Sequence, residues 1–163
     1  MKKVVFFDRD GVINSNESYY TYSFKDFRFN DGVVETMVTL QKEGYEFIVV
    51  SNQSGIAKEI YTINDVEQLH QQVNKYLNEH TIQILEFYYC THHPDVSRCI
   101  CRKPSPLLFE KAISRFDIDV AQSWMIGDQI RDVEAAEAAG IKGILIAPNS
   151  DLREVLKIIL NHD

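Results

Sequence analysis

The chain has 163 residues, of which 45% are apolar, and this size and composition fit one globular domain rather than a disordered protein. The formal net charge is −7, from 17 basic and 24 acidic residues, and no block of lysines and arginines occurs, so we expect no nucleic-acid partner. No apolar run resembles a signal-peptide core or a membrane span, so we expect a cytoplasmic protein without a membrane partner.

The first predicted element is a short buried strand over residues 4–7, all of them apolar. Three charged residues and Gly11 follow directly, so the chain must leave the sheet and turn there. Asp8 and Asp10 then stand at the carboxyl end of a strand, where ligands bind in open α/β sheets. Two carboxylates this close repel unless a cation or proton lies between them, and Mg²⁺ suits such a pair. Taken alone, the fragment is equally typical of a charged turn.

Strands and helices alternate along the rest of the chain. Residues 14–30 form a long connection rich in aromatic side chains, which is typical of a segment that lines a site or covers a sheet edge. Further strands are expected over 45–50, 84–89, 123–126 and 143–147. Helices are expected between 31 and 44, from a capping box at 62–65 to 77, and over 105–116, 132–139 and 152–160. The pattern predicts an α/β fold, a Rossmann-like parallel sheet flanked by helices, as one domain over residues 1–163.

Polar clusters follow three of the predicted strands, and a fourth cluster precedes a helix. The clusters are Asp8/Asp10, Ser51/Asn52, Arg102/Lys103 and Asp128/Asp132. Because parallel strands end at the same edge of a sheet, these clusters can converge. Each has an ordinary explanation as a turn, a helix cap or a solvated lysine. All four together, in this topology, are much less common by chance.

In order and spacing, the four clusters resemble the motifs of the haloacid dehalogenase-like phosphohydrolases over nearly the whole chain. Residues 51–57 and 101–104 are similar to the branch that contains heptose-bisphosphate and histidinol-phosphate phosphatases. The resemblance implies a Mg²⁺-dependent phosphatase acting on a small phosphorylated metabolite. D-glycero-D-manno-heptose 1,7-bisphosphate, losing its 7-phosphate, is the expected substrate. Histidinol phosphate stays open as the alternative, a non-enzymatic zinc-loop interaction module is a further alternative, and a monomer is expected.

The resemblance also implies roles for the carboxylates. Asp8 would attack phosphorus and form an aspartyl-phosphate, while Asp10 would act first as general acid and then as general base. Mg²⁺ would be held by the side chains of Asp8 and Asp128 and by the backbone carbonyl of Asp10. Asp132 would tune the hydration of the metal or orient Lys103.

The remaining motif residues would bind substrate. Those that would hold phosphoryl oxygens or a second anionic group are Ser51, Asn52, Arg102 and Lys103. Gln129 departs from the family pattern, in which a basic residue often follows the equivalent of Asp128. Neither the connection over 14–30 nor the one over 91–102 is long enough for a separate cap domain, so we expect an open site.

Three cysteines and two histidines lie within the twelve residues of the loop 90–101. In a reducing compartment this clustering favours a metal over a disulfide, and a Cys₃His set is a common closed zinc site. The family branch carries a similar zinc loop, so we expect Zn²⁺ bound by Cys90, His92, Cys99 and Cys101. The adjacent His93 is the alternative to His92. Such a site would order the loop and position the two basic residues that follow it.

Overall fold

The five expected strands form one parallel sheet in the computed structural model, which describes residues 1–161. The strand order is β3-β2-β1-β4-β5, so the first strand lies in the centre, with Phe7 beside Val49 on one side and Ile126 on the other. The predicted α/β fold with a parallel sheet is confirmed. The strands are β1 (Val4–Phe7), β2 (Glu46–Asn52), β3 (Ile84–Cys90), β4 (Trp124–Gly127) and β5 (Lys142–Leu145).

Helices connect the strands and cover both faces of the sheet. They are α1 (Val33–Lys42), α2 (Ile63–Glu79), α3 (Leu107–Phe116), α4 (Ile130–Ala138) and α5 (Leu156–Leu160). The capping box predicted for α2 is present, because Thr62 and Asp65 each accept the backbone N–H of the other. Residues Phe24–Asp26, Val120–Gln122 and Leu152–Val155 form 3₁₀ turns.

Several element boundaries differ from the sequence predictions. Helix α4 begins at Ile130 rather than at 132, because the Asp132 carboxylate reaches back to the N–H of Gln129 (3.1 Å) and so caps the helix from inside its first turn. The expected helix over 152–160 begins as a 3₁₀ turn, closed by the Asp151 carboxylate, which accepts the N–H of Arg153. Strand β5 begins one residue earlier and ends two residues earlier than expected.

The core lies in two layers, one on each face of the sheet. Along β1, Val5 and Phe7 pack into the layer beneath α1, α2 and α5, while Val4 and Phe6 pack into the layer beneath α3 and α4. All four side chains are fully buried, and burial of such a side chain contributes roughly 1.5–3 kcal/mol. The alternation explains why β1 has no polar residue until the chain leaves the sheet.

The connection between β1 and α1 belongs to the same domain. Phe27 is buried, and Phe24 and Phe29 pack against the core, whereas Tyr19 is 83% exposed. The aromatic residues of this loop therefore divide between the core and the sheet edge. Among the described residues, no helix has the length and apolar composition required to cross a bilayer.

Candidate active site

Three strand ends and one loop bring the predicted polar clusters together. Asp8 directly follows the central strand β1, and its N–H still donates to the carbonyl of Ile126 (3.0 Å). Ser51 closes the neighbouring strand β2 together with the residue after it, and Asp128 directly follows β4. Lys103 arrives from the loop that precedes α3. The site thus lies at the carboxyl edge of the sheet, as expected for this topology.

Lys103 is a buried ammonium group held between two carboxylates. Its Nζ lies 3.1 Å from Asp8 Oδ1 and 2.6 Å from Asp132 Oδ1, and it donates to the carbonyl of Val50 (2.9 Å). Burial alone would lower the pKa of Lys103, but the two carboxylates outweigh it and hold the pKa above its usual value. Asp132 therefore fixes Lys103 beside Asp8.

Three carboxylates surround this ammonium group. Oxygen atoms of Asp8, Asp128 and Asp132 lie within 4.8 Å of one another. Burial, with a further contribution from the neighbouring carboxylates, raises the pKa of Asp8 well above its ordinary value and also raises the pKa of Asp128. Within residues 1–161, Asp128 Oδ1 is buried and has no hydrogen-bond partner. A buried, all-oxygen, electron-rich set with a free acceptor fits a hard divalent cation such as Mg²⁺.

Gly11 makes room for this carboxylate cluster. Its φ of +90° is the left-handed conformation that favours glycine, and a Cβ at this position would lie 2.2 Å from Asp128 Oδ2. The glycine after the two aspartates of the sequence motif is thus required by both the backbone and the space.

Asp10 lies outside the cluster, in a network of its own. Its Oδ1 accepts from Arg9 Nη2 (2.8 Å) and Asn14 Nδ2 (2.9 Å), while its Oδ2 accepts from Gln53 Nε2 (3.0 Å). The hydroxyl of Tyr61 donates to Gln53 Oε1 (2.7 Å), which fixes the orientation of that amide. Burial raises the pKa of Tyr61 to about 12, so the hydroxyl stays a donor. No sequence pattern indicated these contacts of Arg9, Gln53 and Tyr61.

Ser51 and Asn52 form hydrogen bonds with neighbouring residues of the site. Ser51 is buried, and its Oγ accepts from Gln53 Nε2 at 2.7 Å. Asn52 pairs with the backbone of Lys103, accepting its N–H at Oδ1 (3.1 Å) and donating from Nδ2 to its carbonyl (3.4 Å). Asn52 therefore holds the backbone that carries the buried ammonium group.

A cavity of about 340 Å³ opens above Asp8. Tyr19, Tyr20 and Tyr61 form one wall, and the rings of Tyr20 and Tyr61 are 6.0 Å apart. Arg131, in the first turn of α4 and three residues after Asp128, also lines the cavity, and it was not among the predicted site residues.

Arg102 has a different position from Arg131. It does not line the cavity, and its Nη1 donates to the carbonyl of His92 at 3.4 Å. The expected contact of Arg102 with substrate therefore stays a prediction.

The four expected zinc ligands converge in the loop after β3. Their sulfur and nitrogen atoms lie within 4.8 Å of one another, and His92 Nδ1 is 3.5 Å from Cys90 Sγ and 3.4 Å from Cys101 Sγ. Cys99 Sγ lies 3.5 Å from Cys90 Sγ. His93 instead accepts a backbone N–H within its own turn, so the structure places His92 rather than His93 in the cluster. Three thiol sulfurs and one imidazole nitrogen in this arrangement suit tetrahedral zinc.

Comparisons with known proteins agree with this architecture. A family profile described as HAD-hydrolase-like matches residues 100–159. The D-glycero-beta-D-manno-heptose-1,7-bisphosphate 7-phosphatase of Haemophilus ducreyi is 40% identical over 86% of this chain and 80% of its own length. The enzyme of the same name from Escherichia coli K12 is 38% identical, over 84% of this chain and 74% of its own length.

A solved structure shares the whole fold. The D,D-heptose 1,7-bisphosphate phosphatase from B. bronchiseptica, complexed with magnesium and phosphate, superposes with a TM-score of 0.83 at 27% identity, covering 96% of this chain and 86% of that one. The sheet order and the cluster of carboxylates at its carboxyl edge agree with relatives that match over most of their length. The chain therefore belongs to the haloacid dehalogenase-like hydrolases and is a phosphatase.

Proposed function

We propose that this phosphatase removes the 7-phosphate of D-glycero-D-manno-heptose 1,7-bisphosphate, with Mg²⁺ as cofactor and an aspartyl-phosphate on Asp8 as intermediate. Relatives named for both the beta and the alpha form of this substrate support the choice, as does the magnesium and phosphate complex of the B. bronchiseptica enzyme. The observation that carries the mechanism is the position of Asp8, whose Oδ1 lies 3.1 Å from the buried ammonium group of Lys103 in the wall of the cavity.

The first step forms a bond between an Asp8 oxygen and phosphorus while the bond from phosphorus to the sugar oxygen breaks. The ammonium of Lys103 donates to the phosphoryl oxygens and offsets their charge. Asp10 gives its proton to the leaving sugar oxygen. Asp8, Asp128 and the backbone carbonyl of Asp10 would hold Mg²⁺, whose charge would offset repulsion between the carboxylates and the phosphate dianion.

The second step returns the enzyme to its starting state. Water attacks phosphorus of the aspartyl-phosphate, and its proton passes to Asp10, which now acts as base. The bond between Asp8 and phosphorus breaks, so inorganic phosphate leaves and the Asp8 carboxylate is restored. The carboxylate of Asp10 lines the cavity, where it can reach both the leaving oxygen and the attacking water.

The loop 90–101 is proposed to bind one structural Zn²⁺ through Cys90, His92, Cys99 and Cys101. The ligand atoms already lie in one cluster, and four protein ligands leave no position for substrate. The role of zinc would be to order a loop that ends at Lys103.

Kinetics on a panel of substrates test the proposal. We expect a higher kcat/KM on heptose 1,7-bisphosphate than on a sugar monophosphate or histidinol phosphate. Asp8→Asn should abolish turnover, because an amide is a poor nucleophile, and Asp10→Asn should slow it by about two to four orders of magnitude. The exposed Asp26→Asn is the matched control and should retain activity.

Two results would contradict the proposal separately. A clear preference for histidinol phosphate would overturn the substrate while leaving the mechanism in place. Turnover by Asp8→Asn near that of the unmodified enzyme would overturn the aspartyl-phosphate mechanism.

A further inference from the structure

Arg9 is a buried arginine whose guanidinium group contacts three residues, two in the connection between β1 and α1 and one on α2. It is 1% exposed. Its Nη2 donates both to Asp10 Oδ1 (2.8 Å) and to the carbonyl of Thr21 (2.6 Å), and its Nε lies 3.3 Å from Asp10 Oδ1. Its Nη1 lies 3.2 Å from Nε2 of His70. Every nitrogen of the guanidinium group is therefore engaged.

His70 contacts the guanidinium group of Arg9 and holds it in place. It lies on α2, is 4% exposed, and stacks on Phe87 of β3 with ring centroids 4.3 Å apart. Burial, reinforced by the positive charge of Arg9, lowers the pKa of His70 to about 2, so the imidazole is neutral. Because a guanidinium can only donate, His70 Nε2 must accept, and the ring proton is on Nδ1.

The Nδ1–H group is buried, and among the residues that the structure describes it has no hydrogen-bond partner. Leaving a buried donor unsatisfied destabilises a fold. An apolar ring would fill the same place against Phe87 without that loss. The histidine is therefore unfavourable for stability at this position. Its benefit is the hydrogen-bond acceptor that it offers to Arg9.

The Asp10 carboxylate is divided by this arrangement into two unlike oxygens. Oδ1 receives hydrogen bonds from Arg9 and Asn14, whereas Oδ2 receives one from Gln53. Oδ2 keeps free acceptor capacity on a side chain that lines the cavity. It is the oxygen able to carry the transferred proton.

We propose that Arg9, held by His70, is a positioning residue that fixes the Asp10 carboxylate with Oδ2 free for proton transfer. Through its contact with Thr21, Arg9 also ties that carboxylate to the loop that carries the aromatic wall of the cavity. The inference rests on the proposed role of Asp10 as acid and base. His70 acts through Arg9 and touches no substrate.

Two substitutions at one site separate the hydrogen bond from the ring. His70→Phe keeps an aromatic ring against Phe87 but removes the acceptor, whereas His70→Gln keeps an acceptor and removes the ring. His80→Phe, at the exposed end of α2, is the matched control. Each variant is assayed for single-turnover phosphorylation of Asp8 by a sugar phosphate and by 4-nitrophenyl phosphate. The sugar alkoxide needs a proton to leave, but nitrophenolate does not.

His70→Phe is expected to slow the phosphorylation of Asp8 by the sugar phosphate about tenfold or more, which is part of the rate acceleration that a general acid contributes. The KM for the sugar phosphate should change less than about twofold. With 4-nitrophenyl phosphate its rate should stay within about twofold of the unmodified enzyme. His70→Gln should resemble the unmodified enzyme on both substrates. In an Asp10→Asn background, His70→Phe should cause no further loss, because both changes remove the same function.

An equal loss on both substrates, or a further loss in the Asp10→Asn background, would show that His70 only supports the fold and would overturn the inference. If Asp10→Asn itself does not slow the sugar phosphate, the proposed function fails instead. Arg9→Lys keeps the charge but replaces the planar fork of guanidinium nitrogens, which reaches Asp10, Thr21 and His70 from separate atoms, by a single nitrogen. It gives the same comparison of substrates if His70→Phe does not fold.

Discussion

The neutral, buried His70 makes the stability of the fold sensitive to acid by an amount that can be worked out. Its pKa is lowered from 6.5 to about 2 in the folded chain, chiefly by burial. As pH falls below 6.5, the unfolded chain takes up a proton at this site that the folded chain does not, so the stability contributed by neutral His70 is present above 6.5 and is lost on acidification. Between about pH 7.5 and pH 5 the loss is about 2 kcal/mol of unfolding free energy.

Substituting His70 by glutamine, which has no charge to gain, should remove this loss. Urea unfolding of both proteins near pH 7.5 and near pH 5 gives the difference in their unfolding free energies, in which the titration of all other groups cancels. We expect that difference to shift by about 2 kcal/mol in favour of His70→Gln at the lower pH. His80→Gln, at an exposed position, should show no such shift. A parallel loss of stability in His70→Gln and the unmodified protein would refute the assignment of a neutral, buried imidazole.

Three further predictions concern metals and charge. Elemental analysis should find about one zinc per chain, lost in Cys99→Ser together with activity, and a metal-replete protein without zinc would refute the site. Lys103→Met should lower the unfolding free energy in urea by about 3–5 kcal/mol at neutral pH, because buried carboxylates lose their counter-ion, and a change below about 1 kcal/mol would contradict this. Arg131→Ala should lower kcat/KM on the bisphosphate about tenfold or more and on a monophosphate much less. A larger selective loss in Arg102→Ala would assign the second phosphate to the zinc loop, as the sequence predicts.

The convergence of the polar clusters could be predicted from the sequence because the topology fixes it. Because all parallel strands end at one edge and β2 and β4 flank β1, the residues at the ends of β2 and β4 lie beside Asp8. The capping box at Thr62 could be predicted for a similar reason, since its two partners are three residues apart and act locally.

Contacts that depend on tertiary packing could not be predicted in this way. Arg9 and His70 are 61 positions apart, and the histidine falls on the buried stripe of α2, where nothing in the spacing distinguishes a hydrogen-bonding side chain from a packing one. Tyr61 and Gln53 meet only because the loop after β2 folds back on itself. Arg131 reaches the cavity only through the orientation of α4, which the spacing from Asp128 alone does not indicate.

The structure also changes the physical meaning of the two aspartates after β1. From sequence, Asp8 and Asp10 form one repelling pair that a single cation must hold together. In the fold each carboxylate has its own counter-ion, since Asp8 lies against Lys103 and Asp10 against Arg9. Asp128 and, from the first turn of α4, Asp132 add two further carboxylates beside Asp8, so the excess negative charge that calls for a divalent cation gathers around Asp8. Asp10 is thereby left free of that cluster, so two identical side chains two residues apart have the different surroundings that the proposed nucleophile and the proposed proton carrier require.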